Sequence, residues 1–221
     1  MIRDATDPRE VMPALWGDVR GSTGWDVGAN TGQAVSTMLG NGFRRVLAFE
    51  PCLESYQVLD RKYGRDSRVT LFSIALAAHR GKLALHRREE AVDSGQLVSF
   101  HIPPVPTGYQ TDPLRELPYG GITEERIVAC STVDWYAQQY GIPDFITVDT
   151  EGGEVDVLRG AVETLPRDVR WLVEFHTHEN FDDCVSILEK EGHYLDVIRH
   201  PHYPEGSTMW WTHGWIKARR M

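Results

Sequence analysis

The pattern of apolar and polar positions along the chain predicts strands that alternate with helices. Short apolar runs rich in β-branched and aromatic residues indicate buried strands, and helical spacing follows most of them. Pro51 suits the first turn of a helix, and Gly40-Asn41-Gly42 ends the helix before it. The predicted strands are 24–27, 45–50, 69–75, 83–86, 126–130, 145–149, 171–175, 194–199 and 209–217, and the predicted helices are 33–39, 51–59, 135–140, 154–164 and 181–191.

This alternation predicts an α/β fold with a mainly parallel sheet and right-handed crossovers. The last two strands have no helix between them, which predicts an antiparallel pair. We expect one domain over residues 1–221, beginning with a lead-in helix over 1–20. Residues 94–124 show no hydrophobic periodicity of a helix or strand and are rich in proline. Long irregular loops of this kind are usually functional or disordered. We interpret this segment as a lid or acceptor-binding loop, with a surface insert as the alternative.

The composition limits the partners that the chain is expected to have. A formal net charge of −9 disfavours a large phosphate-backbone footprint, so no nucleic-acid partner is expected. Three cysteines without CxxC spacing argue against a disulfide framework and a structural zinc site. The charged N-terminal segment has no apolar core, and no window approaches the roughly 18 apolar residues that a membrane span needs. We therefore expect a cytoplasmic protein with no membrane partner.

The turn from Asp26 to Gln33 lies between a predicted strand and a predicted helix, where open parallel sheets bind ligands. Gly28 and Gly32 let the backbone approach a ligand, and Asn30 tolerates a left-handed conformation. The turn lacks the GxGxxG spacing of a dinucleotide site, which disfavours a pyrophosphate. Asp26 suits a ligand with positive charge, such as an ammonium or a sulfonium. The turn therefore indicates a nucleoside that carries no pyrophosphate.

Glu50 strengthens this interpretation because it ends the next predicted strand, about 20 residues beyond the glycine turn. A carboxylate at this place accepts both hydroxyl protons of a ribose. Topology places Ser73-Ile74-Ala75, at the end of the third strand, beside an adenine ring. Turn, spacing and strand-end carboxylate together predict a nucleoside site.

A second group of acids follows the strand over 145–149. Asp149 and Glu151 lie at the strand end and in the turn, beside a Gly-Gly pair that permits close ligand approach, so functional roles are favoured for them. Asp156 is better explained as a favourable charge at a helix N-terminus, and for Glu154 both explanations stay open.

Glu174-Phe175-His176 ends the next predicted strand, and His176 is our preferred general base toward an acceptor hydroxyl. Asp149 and Glu174 are the alternatives, and a structural hydrogen-bonded histidine is the non-catalytic explanation. Carboxylates and a histidine also suit a divalent metal. No metal-binding pattern on regular structure requires one, so a metal is not favoured.

Together these segments resemble the FkbM-type S-adenosylmethionine-dependent methyltransferases. The usual signatures of that family are D-[IV]-G-A-N-x-G, a strand ending F-E-P, D-[IV]-E-G-x-E and a following Leu-x-Gly. Matching segments here are 26–32, 49–51, 149–154 and 158–160, within a resemblance that spans about residues 25–178. Two departures are Thr150 in place of Ile or Val and Gly153 in place of the commoner Ala.

The resemblance implies a class I methyltransferase fold, which is Rossmann-like: a seven-stranded, mostly parallel sheet with helices on both faces and an antiparallel last strand. It implies S-adenosylmethionine as donor, S-adenosylhomocysteine as product, and O-methylation of a hydroxyl in a sugar, polyketide or other secondary metabolite. Combining the resemblance with the strand-end argument, we assign the cofactor site to Asp26, Gly28, Ala29, Asn30, Thr31, Gly32, Glu50, Pro51, Ser73, Ile74, Ala75, Asp149 and Glu151.

Three alternatives stay open at this point. One is an N-methyltransferase that acts on a small-molecule amine, and another is an NAD(P)-dependent oxidoreductase on a similar sheet, against which the missing GxGxxG speaks. The third is a binding domain that has lost its chemistry. The sequence identifies neither the acceptor nor the oligomeric state, with a homodimer among the options.

Overall fold

The computed structural model of the protein describes residues 15–88, 100–101, 122–199 and 213–220. The first half contains β1 (Thr23–Val27), α1 (Gln33–Gly40), β2 (Arg45–Phe49), α2 (Leu53–Tyr63), β3 (Val69–Phe72), β4 (Ala75–Leu76), β5 (Gly81–Arg88) and β6 (Phe100–His101). The second half contains β7 (Ile122–Ser131), α3 (Val133–Tyr140), β8 (Phe145–Val148), α4 (Glu154–Arg159), β9 (Arg170–Phe175), α5 (His178–Lys190), β10 (Tyr194–Arg199) and β11 (Gly214–Arg219).

Seven strands form the main sheet in the order β3-β2-β1-β8-β9-β11-β10. All neighbours are parallel except at β11, which runs antiparallel to both β9 and β10. This confirms the predicted α/β sheet with its antiparallel last strand. Strand order reverses beside β1, since β2 lies on one side of it and β8 on the other. Ligands of open α/β sheets bind at the carboxyl ends of such strands.

The sheet has a core on each face, and strand β2 shows how one apolar run supplies both. Leu47 and Phe49 are buried in one core cluster, whereas Val46 and Ala48 are buried in the other, because successive side chains of a strand point to opposite faces. Helix α5 covers the first cluster with Cys184 and Leu188. Helix α1 covers the second with Val35 and Met38. The continuous hydrophobic character of β2 follows from burial on both sides.

A second, four-stranded sheet has the order β4-β7-β5-β6 and was only partly predicted. The predicted strand 69–75 was wrong as one unit: β3 ends at Phe72, and Ala75–Leu76 pairs with β7 instead. Strand β7 begins at Ile122, so the predicted loop 94–124 contains strand residues at both β6 and β7. Antiparallel pairing with β5 supplies the backbone hydrogen bonds that hold this segment extended. Residues 94–99 and 102–121 of the predicted lid lie outside the described residues.

Other boundaries also differ from the prediction. The helix predicted over 154–164 ends at Arg159, where Gly160 follows and the chain turns. Residues 1–14 of the predicted lead-in helix lie outside the described part. Of residues 15–20, Leu15 and Trp16 are helical. Of the last predicted strand, 209–212 lies outside it too, and β11 begins at Gly214. Within the described ranges no helix has the length and apolar character needed to cross a membrane.

Asp134 makes most of the side-chain hydrogen bonds that connect α3 to the turn after α4. The carboxylate of Asp134 accepts hydrogen bonds from the backbone N–H of Glu163 and from both the N–H and the hydroxyl of Thr164, at 2.7–2.9 Å. Thr164 is almost completely buried, so its donors have few other partners. This carboxylate therefore holds α3 against the segment that leads from α4 into β9.

We predict that Asp134→Ala lowers the free energy of unfolding by about 1–3 kcal/mol, because it leaves buried donors of Thr164 unsatisfied. Thermal denaturation should show this as a Tm decrease of about 2–4 °C per kcal/mol. The control is Asp168→Ala, which removes an exposed carboxylate from the same segment. An equal Tm for the Asp134 and Asp168 variants would contradict the fastening role.

Candidate active site

The turn between β1 and α1 has three residues at positive φ: Gly28 at 85°, Asn30 at 46° and Gly32 at 88°. At Gly28 a Cβ would overlap the backbone carbonyl oxygen of Asp149, and at Gly32 it would lie 2.8 Å from a Leu59 methyl. These two positions therefore need glycine for space as well as for conformation. The left-handed Asn30 agrees with the sequence prediction. The turn lies directly against the carboxyl end of β8.

Glu50 follows β2 and is hydrogen-bonded to the backbone of this turn. Its Oε2 accepts a hydrogen bond from the backbone N–H of Asn30 at 2.7 Å, and its Oε1 accepts one from Cys52 at 2.7 Å. The residue is 6% exposed. Burial raises the pKa of Glu50 to about 7, against the opposing effect of these two hydrogen bonds. Because a carboxylate has about four acceptor positions, each oxygen keeps one for a ligand.

Asp26 is buried beneath the same turn, at 2% exposure. Its carboxyl group accepts a hydrogen bond from the backbone N–H of Val35, while its Oδ2 has no hydrogen-bond partner among the described residues. Burial, followed by repulsion from Glu50, raises the pKa of Asp26 to about 7. Two buried carboxyl groups, each with a pKa raised to about 7, therefore lie beneath the turn between β1 and α1.

A cleft of about 610 Å³ opens at the carboxyl ends of β1, β2 and β8. Of the residues assigned from sequence, those that line it are Gly28, Asn30, Glu50, Pro51, Ile74, Ala75, Asp149 and Glu151. The other assigned residues lie outside its lining, and they are Asp26, Ala29, Thr31, Gly32, Ser73, Glu174 and His176. Ala29 is buried in a core cluster, and the Thr31 hydroxyl bonds to Gln33.

The cleft wall also contains residues that sequence reasoning missed. Leu76 and Leu85 reach it from β4 and β5 of the second sheet, whose pairing the sequence did not indicate. Cys52 and Ser55 come from the start of α2, and the Ser55 hydroxyl donates to Asn30 Oδ1 at 3.2 Å. Part of the apolar wall thus comes from the second sheet, whose strand pairing only the structure shows.

Beside the cleft, a fully buried carboxylate organises a second group of polar residues. Oε1 of Glu154 accepts from the backbone N–H of Gly152 at 2.9 Å and of Thr150 at 3.2 Å, and it lies 3.1 Å from Nδ1 of His176. Its Oε2 accepts from the Asn180 side chain at 2.6 Å. Glu154 is 0% exposed, so the question left open by the sequence is answered: this side chain is internal and orients the site.

His176 lies at the centre of this carboxylate–histidine cluster, which we define as Asp149, Glu151, Glu154, Glu174 and His176. Its Nε2 is 3.6 Å from Asp149 Oδ1, 3.6 Å from Glu151 Oε2 and 3.9 Å from Glu174 Oε1. The side chain of His176 is 10% exposed, whereas that of Asp149 is 46% exposed. Asp149 and Glu151 therefore face the cleft, and His176 lies behind them.

The cluster shifts the ionisation of its members. Burial alone would lower the pKa of His176, but Glu151, Glu154 and Asp149 together raise it well above its usual value. Burial, with repulsion from Glu174, raises the pKa of Asp149 well above its usual range. Burial also raises the pKa of Glu174, whose Oε2 accepts from Trp215 Nε1 at 2.8 Å. Of the three candidate bases, Asp149 lines the cleft, whereas His176 and Glu174 lie outside its lining.

The open α/β sheet, with its cleft at the carboxyl ends of the central strands, is typical of enzymes that bind a nucleoside. The family model of the methyltransferase FkbM domain matches residues 26–198, most of the chain. The chain therefore belongs to the FkbM methyltransferase family and is an S-adenosylmethionine-dependent methyltransferase. This confirms the resemblance noted in the sequence, and it excludes the oxidoreductase and the binding domain without chemistry. No curated protein sequence matches the chain significantly.

Solved structures share the fold at low sequence identity. Aeropyrum pernix fibrillarin, a complex with natively bound S-adenosyl-L-methionine, has a TM-score of 0.54 at 12% identity, covering 95% of this chain and 74% of that one. Precorrin 8w decarboxylase from Methanobacterium thermoautotrophicum has a TM-score of 0.50 at 16% identity, covering 99% and 92%. At such identities these likenesses show the class I methyltransferase fold and nothing finer.

The raised pKa values of Asp26 and Glu50 predict how stability depends on pH. A carboxyl group whose pKa is raised on folding stabilises the folded state fully below its unfolded pKa, and this contribution is lost as the pH rises through about 7. We expect the free energy of unfolding of the ligand-free protein to fall by about 1–3 kcal/mol per group between about pH 5 and pH 8. Urea denaturation at both pH values measures it.

Asp26→Asn tests the assignment, because the amide resembles the protonated carboxyl group and does not titrate. The variant should lose part of the pH dependence of the free energy of unfolding, and the exposed control Asp60→Asn should keep all of it. An unchanged pH dependence in Asp26→Asn would show that this group ionises normally.

Proposed function

We propose that the protein transfers the methyl group of S-adenosylmethionine to a hydroxyl oxygen of a small molecule. The observation that carries this proposal is the arrangement of one cleft: Glu50 lies at one part of its wall, and the cleft-facing carboxylates of the cluster lie at another. The first part suits a ribose, and the second suits an acceptor that must lose a proton.

The residues of the cleft fit the donor in three respects. The two oxygens of Glu50 each keep an acceptor position, which suits the two hydroxyls of a ribose. Ile74, Leu76 and Leu85 supply an apolar surface for an adenine ring. Gly28 lies in close contact with the end of β8, so only backbone, and no side chain, separates the two parts of the cleft there. We therefore propose these residues as the donor site.

In the proposed reaction, donor and acceptor oxygen lie about 3 Å apart and in line, and this positioning supplies most of the rate. S-adenosylmethionine supplies an electrophilic methyl group, whose carbon–sulfur bond breaks with its electron pair kept by sulfur as the carbon–oxygen bond forms. The proton of the acceptor hydroxyl passes to the carboxylate of Asp149, the cleft-lining member of our three candidate bases. His176 and Glu174 lie behind it and set its charge and orientation.

Charge favours a hydroxyl acceptor over the alternatives. An amine bound beside several carboxylates is stabilised as an ammonium ion, which has no lone pair to receive a methyl group. A polynucleotide brings phosphates, which the net charge of −9 and the acidic cluster repel. We therefore place a sugar, polyketide or related hydroxyl compound before an amine or a nucleic acid.

We also propose that residues 1–221 act as a single methyltransferase domain in the cytoplasm. The family match over 26–198 supports the first statement. Three buried cysteines without a disulfide, Cys52, Cys130 and Cys184, are typical of a reducing compartment and support the second.

Glu50→Gln tests the donor site through binding alone. The amide keeps the size of the side chain but loses charge and one acceptor oxygen, so S-adenosylhomocysteine should bind about 10- to 100-fold more weakly by isothermal titration calorimetry. Glu54→Gln, an exposed glutamate outside the cleft lining, is the control and should bind normally. Equal affinity of the Glu50 variant and the wild type would place the ribose elsewhere.

The transfer reaction is tested with S-adenosylmethionine and a panel of sugars, polyketides, amines and short RNAs, with mass spectrometry of the products. A hydroxyl compound should gain one methyl group. Asp149→Asn should lower turnover about 100-fold or more, and Asp182→Asn, exposed on α5, should not. Methylation of amines or RNA alone would overturn the proposed acceptor, and full activity of Asp149→Asn would remove its role as base.

A further inference from the structure

Three side chains of the carboxylate–histidine cluster converge from different elements on one point beside the cleft. Asp149 follows β8, Glu151 lies in the turn before α4, and His176 follows β9. One ligand-type atom from each of them lies within 4.8 Å of the other two. Because both strands are central in the sheet, this convergence is a property of the fold.

The spacing matches the coordination sphere of a small divalent cation. With bonds of about 2.1 Å, neighbouring ligands of an octahedral ion lie about 3 Å apart and opposite ligands about 4.2 Å apart. The separations from His176 Nε2 to Asp149 Oδ1 and to Glu151 Oε2, both 3.6 Å, fall between these values. They are also too long for hydrogen bonds between the same atoms.

The imidazole of His176 is held in the orientation that a metal ligand needs. Glu154 lies 3.1 Å from Nδ1, which keeps a proton on Nδ1, so a cation that displaces the proton of Nε2 binds the lone pair of that nitrogen. Glu154 is itself fixed by backbone donors and by Asn180. A carboxylate that orients the far nitrogen of a histidine is the usual outer shell of a protein metal site.

A separate observation is that buried polar atoms at this point have no partner. Oδ1 of Asp149 is inaccessible to solvent and has no hydrogen-bond partner among the described residues. It faces Nε2 of His176, a side chain that is nine-tenths buried, across a gap of 3.6 Å. Buried carboxylate oxygens are normally hydrogen-bonded or bound to a cation. The gap between these two atoms is where such a cation fits.

We propose that Asp149, Glu151 and His176 bind a divalent cation of the Mg²⁺/Mn²⁺ class. Two carboxylate oxygens and one imidazole nitrogen suit this class, and no thiolate is present among the three to select a softer metal. Asp149 and Glu151 line the cleft, so the remaining coordination positions face it. The sequence did not favour a metal, because no metal-binding pattern on regular structure requires one.

The position of the cation gives it a role that rests on the proposed function. An acceptor oxygen that occupies one of the cleft-facing positions would bind the cation, which lowers the pKa of the hydroxyl. Asp149 ligates through Oδ1 and keeps its second oxygen to take the proton. The cation also offsets the repulsion among four carboxylates.

The test is the binding of Mn²⁺ alone to the purified full-length protein, which is first treated with a chelator. Electron paramagnetic resonance monitors the binding. The signal of free Mn²⁺ should decrease until one equivalent has bound, and electron spin-echo modulation should show a coupled ¹⁴N from His176. Glu151→Gln and His176→Gln should weaken binding at least 10-fold, and the second should lose the ¹⁴N coupling. Glu179→Gln and His178→Gln are exposed controls of the same residue types and should bind as the wild type.

The outcomes separate this proposal from the proposed function. Absence of Mn²⁺ binding by the wild type, or equal binding by all four variants, would overturn the cation site. Normal S-adenosylhomocysteine binding together with full methyl transfer in excess EDTA would overturn its role and leave the methyltransferase proposal intact. Mn²⁺ binding with ¹⁴N coupling, in a protein that binds no S-adenosylhomocysteine, would support the site and remove the proposed function. A normal thermal transition in each variant shows that loss of binding is not loss of folding.

Discussion

The carboxylate of Glu154 connects the parts of the molecule that form the transfer site. Without any exposure to solvent, it accepts hydrogen bonds from two backbone N–H groups of the turn after β8, from Asn180 on α5 and from His176 after β9. Burial of an ion this deeply is unfavourable unless every acceptor position is used. Burial alone would raise the pKa of Glu154, but the hydrogen bond and charge of His176 lower it. The turn, the helix and the strand end are therefore fixed relative to one another by one ion.

This interaction also explains why the two halves of the cleft differ chemically. Around Glu50 and Asp26, burial dominates and raises the pKa of both carboxyl groups to about 7. Around His176, the imidazole ring lies among several carboxylates, and charge dominates. A nucleoside needs hydrogen-bond acceptors more than charge, whereas an acceptor hydroxyl needs a nearby base that takes its proton. The sheet places both environments along one edge, at the point where strand order reverses.

Much of this arrangement was predictable because strand ends of a parallel sheet converge. Glu50 and Asp149 each come directly after an apolar run, so their position at one edge follows from the pattern of the chain. The break between Phe72 and Ala75 was not predictable, because only Ser73 interrupts the apolar residues where the chain passes from one sheet to the other. The role of Glu154 was not predictable either, since its spacing suits a helix N-terminus as well as an internal carboxylate. Partners distant in sequence, such as Asn180, decide between the two.

The contact of Gly28 with the carbonyl of Asp149 has a consequence for how such an enzyme changes its acceptor. The backbone of the donor turn touches the backbone of the transfer strand, with no side chain between them whose size can vary. The separation of the two strand ends is thus set by main-chain packing, and side-chain substitution cannot adjust it gradually. Diversity of acceptors has to come from other surfaces of the site, which do not carry this contact. A designer who wishes to redirect the enzyme would begin there and leave the turn unchanged.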